Sequence, residues 1–211
     1  MRLYREGNPS VSVILPTYNR MKYLSRAIDS VIRQIFTSWE LIIVDDGSTD
    51  ETFSLVNGYL ISEPRIRYLK HSNRKLPFTL NTGLLAACGD FVAFIGSDDA
   101  WKPEHLSLRM EIFSSQNEPD LVHGGVEIIG DPYVSDKRDR AKKIHLKDCV
   151  IGGTFIGKRE LFLKLDGFKN IDYSEDSEFF ERAVKTAAVK KVDFKTYIYF
   201  RDTPGSITNK N

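Results

Sequence analysis

Two segments of this chain share one design: an apolar run that ends in adjacent carboxylates. Leu41-Ile42-Ile43-Val44 runs into Asp45-Asp46-Gly47-Ser48, and Phe91-Val92-Ala93-Phe94-Ile95 runs into Gly96-Ser97-Asp98-Asp99. Short runs of β-branched and aromatic residues read as buried strands. Two like charges side by side repel, and are best tolerated where a cation or a hydrogen-bonding ligand lies between them. Serine and aspartate are also ordinary turn and cap residues. The repetition favours a ligand edge, because open α/β sheets bind their ligands at the carboxyl ends of strands. Asp98 and Asp99 are therefore read as metal and ligand carboxylates.

The segments around these strands alternate in type. Val11 to Leu15 reads as a strand closed by Pro16-Thr17-Tyr18-Asn19-Arg20, with the asparagine placed to cap the next element. That element is expected to be a helix, since Leu24, Ala27, Ile28, Val31, Ile32 and Ile35 form one apolar stripe. Ser48 and Glu51 have capping-box spacing, predicting a helix from about Thr49 to Gly58. A half-exposed strand over 65–69 and a helix over 78–87, stopped by Gly89, complete the first half. This alternation predicts an α/β domain with a mostly parallel, Rossmann-like sheet flanked by helices. No G-x-G-x-x-G turn and no lysine-bearing phosphate loop is present, so any phosphate is expected to be held through a metal.

The second half reads less cleanly. Pro103 suits a first helical turn, with Leu106, Met110 and Phe113 inward. Residues 121–123 and 126–129 read as short strands, a bent or antiparallel addition to the sheet. The charged connection 131–148, with Lys137, Arg138, Asp139, Arg140, Lys142 and Lys143, reads as a solvated and mobile loop. Residues 151–157 read as a strand whose glycines admit something close to the backbone. A short helix over 158–165, a helix from Ser174 burying Phe179, Phe180, Ala183, Val184 and Ala187, and a strand over 196–200 complete the chain.

Bulk properties exclude some partners. A formal net charge of +1, with 41% hydrophobic and 28% charged residues, suits a soluble domain with no field for gripping nucleic acid or an anionic membrane. At 211 residues the chain is read as one domain. Cys88 and Cys149 lack metal-ligand spacing and read as buried or half-buried thiols. Without an apolar leader or a bilayer-length apolar run, a cytoplasmic address is expected, with peripheral contact at the inner membrane face left open.

Taken in order, Val11–Arg20, Glu40–Asp50, Gly89–Asp99, Gly167-Phe168 and Glu175-Asp176 resemble the inverting glycosyltransferases of family 2, which have the GT-A fold. The resemblance implies a single domain: a nucleotide-sugar-binding half over about 9–99 and a smaller, antiparallel, acceptor-binding half over about 100–211. It implies transfer of a sugar, with inversion, from a nucleoside-diphosphate sugar to a hydroxyl of a glycan or lipid-linked acceptor in bacterial surface-polysaccharide assembly. A UDP-sugar is the favoured donor. Pro16, Thr17, Tyr18, Asn19, Asp45 and Asp46 would bind the nucleotide. Asp98 would contact donor and metal, and Asp99 the metal, Mn²⁺ or Mg²⁺. Asp176 matches the base that deprotonates the acceptor, with Glu175 orienting it or contacting the acceptor. The chain departs from the common pattern at Gly96, where many relatives carry an aspartate. It also has Thr79-Leu80-Asn81 where many carry alanine-arginine-asparagine, which leaves Arg74 to supply the arginine. Pro204–Thr208 resembles a closing C-terminal segment. Two rival readings are a non-catalytic nucleotide-sugar-binding module and a receiver-like signalling domain.

Overall fold

The computed structural model describes residues 9–115, 118–136, 139 and 141–203. The readings of the N-terminus, of Lys137, Arg138 and Arg140, and of the Pro204–Thr208 segment lie outside them. Four strands, β1 (Val11–Thr17), β2 (Trp39–Asp45), β3 (Ile66–Lys70) and β4 (Phe91–Phe94), alternate with helices α1 (Met21–Ile32), α2 (Thr52–Ser62) and α3 (Leu76–Ala86). All four strands pair parallel, in the order β3-β2-β1-β4.

The second half comprises β5 (Ala100–Trp101), α4 (His105–Phe113), β6 (Leu121–His123), β7 (Val126–Ile129), β8 (Tyr133–Ser135), β9 (Lys143–His145), β10 (Ile156–Lys158), α5 (Arg159–Lys164), α6 (Glu175–Ala183), β11 (Val189–Lys191) and β12 (Tyr197–Phe200). The main sheet runs β11-β6-β10-β4-β1-β2-β3, with β10 antiparallel to both of its neighbours. A second sheet, β5-β12-β7, stands beside it, and β8 and β9 form a separate hairpin. The 3-2-1-4 order places a topological switch between β1 and β4, the crevice where such sheets bind ligands, whereas a receiver-like domain has the order 2-1-3-4-5.

Period-two alternation sends successive strand residues to opposite faces. Val13, Leu15, Leu41, Ile43 and Ala93 join α1 and α4 residues on one side of the sheet. Ile14, Ile42, Val44, Val92 and Phe94 join residues of α3, α5 and α6 on the other. The expected doubly covered sheet is therefore present.

Several boundaries differ from expectation, each for a physical reason. β1 continues through Pro16 to Thr17. Ile14 offers its carbonyl to Ile95 on the β4 side, so Pro16 has its missing N–H on that same side, just past the end of β4. Ile35 lies beyond α1 and is exposed rather than core. The Ser48/Glu51 capping box does not form, and α2 begins at Thr52 with its first N–H on Asp50. Gly58 does not end α2 but sits inside it, because its missing side chain faces open solvent. The charged connection holds the β8–β9 hairpin, anchored by buried Val134 and Leu146. Gly152–Thr154 is a 3₁₀ turn, and only Ile156–Lys158 is strand. Val184 is exposed past the end of α6, while Phe179 and Ala183 are buried as expected. β5 and β11, which the sequence reading lacks, are too short to show a period.

Candidate active site

A cleft of about 960 Å³ opens at the carboxyl ends of β1, β2 and β4. Its wall includes Pro16, Thr17, Tyr18, Asp46, Asp98, Asp99, Glu175 and Asp176. Asn19, Asp45 and Arg74 do not line it.

The first acidic pair divides its work. Asp45 is fully buried: Oδ1 accepts from the Ser48 N–H at 2.7 Å and Oδ2 from the Tyr68 hydroxyl at 2.5 Å, so this carboxylate ties the loop down. Asp46 accepts the backbone N–H groups of Arg74 (2.6 Å) and Lys75 (3.0 Å) while still facing the cleft. Arg74 thus contributes its backbone to this corner, while its guanidinium stacks on Phe78 at 3.4 Å. Asn19 adopts a left-handed conformation and does not cap α1; its Oδ1 accepts from the Thr49 N–H at 2.8 Å. In return Asp50 accepts from the Met21 N–H at 3.2 Å, so the loops after β1 and β2 hold one another. Between them Tyr18 presents a half-exposed ring, and the buried Thr17 hydroxyl has no hydrogen-bond partner among the described residues. An unpaired hydroxyl at a cleft wall suits a ligand that brings its own donor or acceptor.

The second acidic pair is built differently. Asp99 is 2% exposed; its Oδ2 accepts from the Tyr197 hydroxyl at 2.6 Å and its Oδ1 from the Phe200 N–H at 3.0 Å. Burial, and then the neighbouring Asp98 charge, push its pKa up to about 8. Asp98 is also shifted upward by burial, with Arg20 and Arg26 pulling the other way. Arg26 donates to the Asp98 carbonyl and lies over the Phe200 ring, which clamps this loop against β12. Gly96 is accounted for by space: a Cβ there would stand 2.5 Å from Asp99 Oδ2.

Across the cleft, Asp176 lies in the first turn of α6. Its Oδ2 accepts from the Gly152 N–H at 2.9 Å and its Oδ1 from the Ser177 N–H at 2.7 Å. A Cβ on Gly152 would meet Asp176 Cβ at 2.8 Å, so the closely approached glycine of the sequence reading is one that admits this acid. Burial raises the Asp176 pKa and the backbone N–H groups oppose that rise. Burial, and then Asp176, push Glu175 up to about 7.

Tyr197, Tyr199, Arg20 and Gly153 also line the cleft and were absent from the sequence-derived site. Arg20, the last residue of the first loop motif, and Gly153, one of the strand glycines read as admitting a close approach, carried readable signals; Tyr197 and Tyr199 carried none. Among the described residues no group of three or more acidic, histidine or cysteine side chains forms a complete metal cage. Asp98 and Asp99 nevertheless fit a hard divalent cation, because such ions take one or two carboxylates and complete their shell with water and substrate phosphates. Asp99 keeps lone pairs beyond the two already engaged.

Comparison with known proteins gives the family and the fold. The family model described as Glycosyl transferase family 2 matches residues 12–188. Among curated proteins, the Escherichia coli UDP-Glc:alpha-D-GlcNAc-diphosphoundecaprenol beta-1,3-glucosyltransferase WfgD is 35% identical over 147 residues, 67% of this chain and 57% of that protein. The uncharacterized Bacillus subtilis glycosyltransferase EpsJ is 28% identical over 95% of this chain and 63% of its own length. The chain thus spans about three fifths of the length of these relatives. Staphylococcus aureus TarS 1–349 in complex with UDP-GlcNAc superposes with a TM-score of 0.79 at 24% identity, covering 96% of this chain and 61% of that one. The mannosyltransferase PcManGT from Pyrobaculum calidifontis, in complex with GDP-Man and Mn²⁺, gives 0.72 at 22% identity, over 95% of this chain and 59% of that one. These two likenesses identify the fold as GT-A, and the family match, which covers most of the chain, makes the protein a member of glycosyl transferase family 2.

Proposed function

We propose that the chain is a metal-dependent inverting glycosyltransferase that moves a sugar from a UDP-sugar to a hydroxyl of a glycan or lipid-linked acceptor in bacterial surface-polysaccharide assembly. One observation carries the reading: Asp46, the Asp98–Asp99 pair and the half-buried Asp176 all face one cleft at the switch point of the sheet. The half up to Asp99 takes the donor, and the half beyond it takes the acceptor. Tyr18 stacks on the base, with Thr17 and Asp46 on its polar edge. Asp98 and Asp99 would hold Mn²⁺ or Mg²⁺, which would supply positive charge to neutralise the diphosphate of the leaving nucleotide. Asp176, held by the Gly152 and Ser177 N–H groups, takes the proton of the acceptor hydroxyl as that oxygen attacks the anomeric carbon from the face opposite the phosphate. Glu175 sets the charge beside this base. WfgD, by its name a UDP-glucose enzyme acting on a diphosphoundecaprenol-linked sugar, supports both the UDP donor and the lipid-linked acceptor. Among the described residues no helix is long and apolar enough to cross a membrane. A lipid-linked acceptor would be met by peripheral contact at the inner membrane face.

Calorimetric titration with UDP, GDP and dTDP, each with Mn²⁺ and with a chelator, tests the donor site. Metal-dependent binding of UDP that is lost in Asp99→Ala is expected, while Asp176→Asn keeps UDP affinity and lowers turnover by roughly 10²–10⁴-fold, the usual worth of a general base. Absence of binding to any of the three nucleotides overturns the donor reading. Binding with Asp176→Asn turnover unchanged removes the base assignment.

A further inference from the structure

Tyr197 stands where both halves of the cleft meet, although no motif marks it. The residue is 1% exposed and sits on β12, in the second sheet. Its hydroxyl donates to Asp99 Oδ2 at 2.6 Å and accepts the Gly96 N–H at 3.1 Å, so the single Tyr197 oxygen bridges the two ends of the Gly96–Asp99 loop. The same hydroxyl leaves no room for a side chain on Gly153, the neighbour of the glycine whose N–H holds Asp176. A fully buried phenol needs a partner for its hydroxyl, and here the hydroxyl has both an acceptor and a donor.

This arrangement fixes one property of Asp99. A carboxylate has about four lone-pair sites. With Tyr197 on one oxygen and the Phe200 N–H on the other, its plane cannot rotate without breaking a bond, so the unused lone pairs keep one direction. Gly96 belongs to the same device, since any side chain there would displace Oδ2 from the phenol.

We infer that Tyr197 is a positioning residue for the donor site: its hydroxyl holds the Asp99 carboxylate in the orientation that receives a divalent cation with its nucleotide. The inference rests on the donor-site reading above and goes beyond it, because Tyr197 itself touches neither donor nor acceptor in this role. Partners that orient a metal-binding side chain are generally worth 10–100-fold in metal affinity.

The test measures free Mn²⁺ by electron paramagnetic resonance in titrations of the whole chain, with and without UDP. It compares the unaltered protein with Tyr197→Phe, Gly96→Ala and Tyr59→Phe. Tyr59 donates to Asp29 at 2.9 Å between α2 and α1, away from the cleft, so its variant controls for the loss of an ordinary tyrosine–carboxylate bond. Tyr197→Phe is expected to raise the Mn²⁺ half-saturation concentration 10-fold or more with the number of sites unchanged. Gly96→Ala, which keeps the phenol and moves the carboxylate, should shift it in the same direction, and Tyr59→Phe should not. Gly96→Ala decides the matter if Tyr197→Phe does not fold. A half-saturation within two-fold of the unaltered protein in whichever of the two variants folds overturns the inference and leaves the donor site standing. Absence of Mn²⁺ binding by the unaltered protein, with or without UDP, overturns both.

Discussion

Glu175 and Asp176 are neighbours in the first turn of α6, and burial sets the charge of both. Glu175 titrates near 7 in the folded chain against about 4.5 for an ordinary glutamate. Between those values the folded chain keeps a proton that the unfolded chain has released, so this residue's contribution falls as pH rises from about 4.5 to about 7 and stays low above that. Glu175→Gln should match the unaltered protein in urea denaturation at pH 4.5 and exceed it by about 1–2 kcal/mol at pH 8, allowing for partial solvent access. Equal gaps at both pH values would contradict the assignment. At this scale the sequence told much but not all. Both acidic pairs were legible as apolar runs ending in carboxylates. That Asp45 turns down to Tyr68 while Asp46 faces the cleft depends on a strand more than twenty residues away. That Asp99 needs Tyr197 depends on one 98 residues away, and local pattern carries neither fact.

The helices show where local signals lose to tertiary ones. Ser48 and Glu51 have capping-box spacing, yet the Ser48 hydroxyl accepts from the Asn19 N–H at 2.9 Å and Glu51 makes no side-chain cap. The loop between β1 and α1 overrides the local box. Gly58 looked like a helix end because glycine commonly ends helices, but α2 continues four residues past it to Ser62. A Cβ at Gly58 would meet nothing within 4 Å, so Gly58→Ala should stabilise the protein by about 0.5–1 kcal/mol, read as an increased urea midpoint with unchanged slope. On α4 the expected inward residues Leu106 and Phe113 are buried, and so is Arg109, which stands at i+3 from Leu106 on the same face and carries its charge into the core. Its guanidinium donates to the Thr196 hydroxyl at 2.6 Å and the Gly124 carbonyl at 2.7 Å. Arg109→Leu should cost about 2–4 kcal/mol in thermal or urea unfolding, since it removes the donor from the half-buried Gly124 carbonyl and one of the partners of the buried Thr196 hydroxyl. A loss under about 0.5 kcal/mol would show that these groups find other partners.

For the molecule as a whole, the alternation of strands and helices through Phe94 made the parallel, helix-flanked sheet legible, while the strand order 3-2-1-4 came only from the structure. The mixed part was legible only in pieces: Leu121–His123 read as a strand and Ile156–Lys158 fell inside a longer one, but three-residue strands are below the length at which a period can be read, so their pairing and β11 were hidden. Saturation of the cleft should stabilise the entire fold. With free UDP and Mn²⁺ at about 100 times the dissociation constant, linkage gives about 2.7 kcal/mol, or roughly 5–10 °C in Tm for a chain of this length. Differential scanning calorimetry that shows no shift under those conditions would contradict specific binding to the native state.

The insertion of β10 between β4 and β6 also sets an order of events during synthesis. When the ribosome has delivered the chain only as far as Asp99, β1, β2, β3 and β4 are complete, but the flank of β4 that will meet Ile156–Lys158 has no partner. That flank is an apolar edge strand, Phe91–Phe94, with free N–H and carbonyl groups, the kind of surface that recruits strands from other chains. The nascent protein passes through a stage in which its most regular half is also its stickiest, and about sixty further residues must emerge before its own strand can close the edge. Slow elongation across that interval would therefore favour aggregation, and a holdase that covers β4 would favour yield.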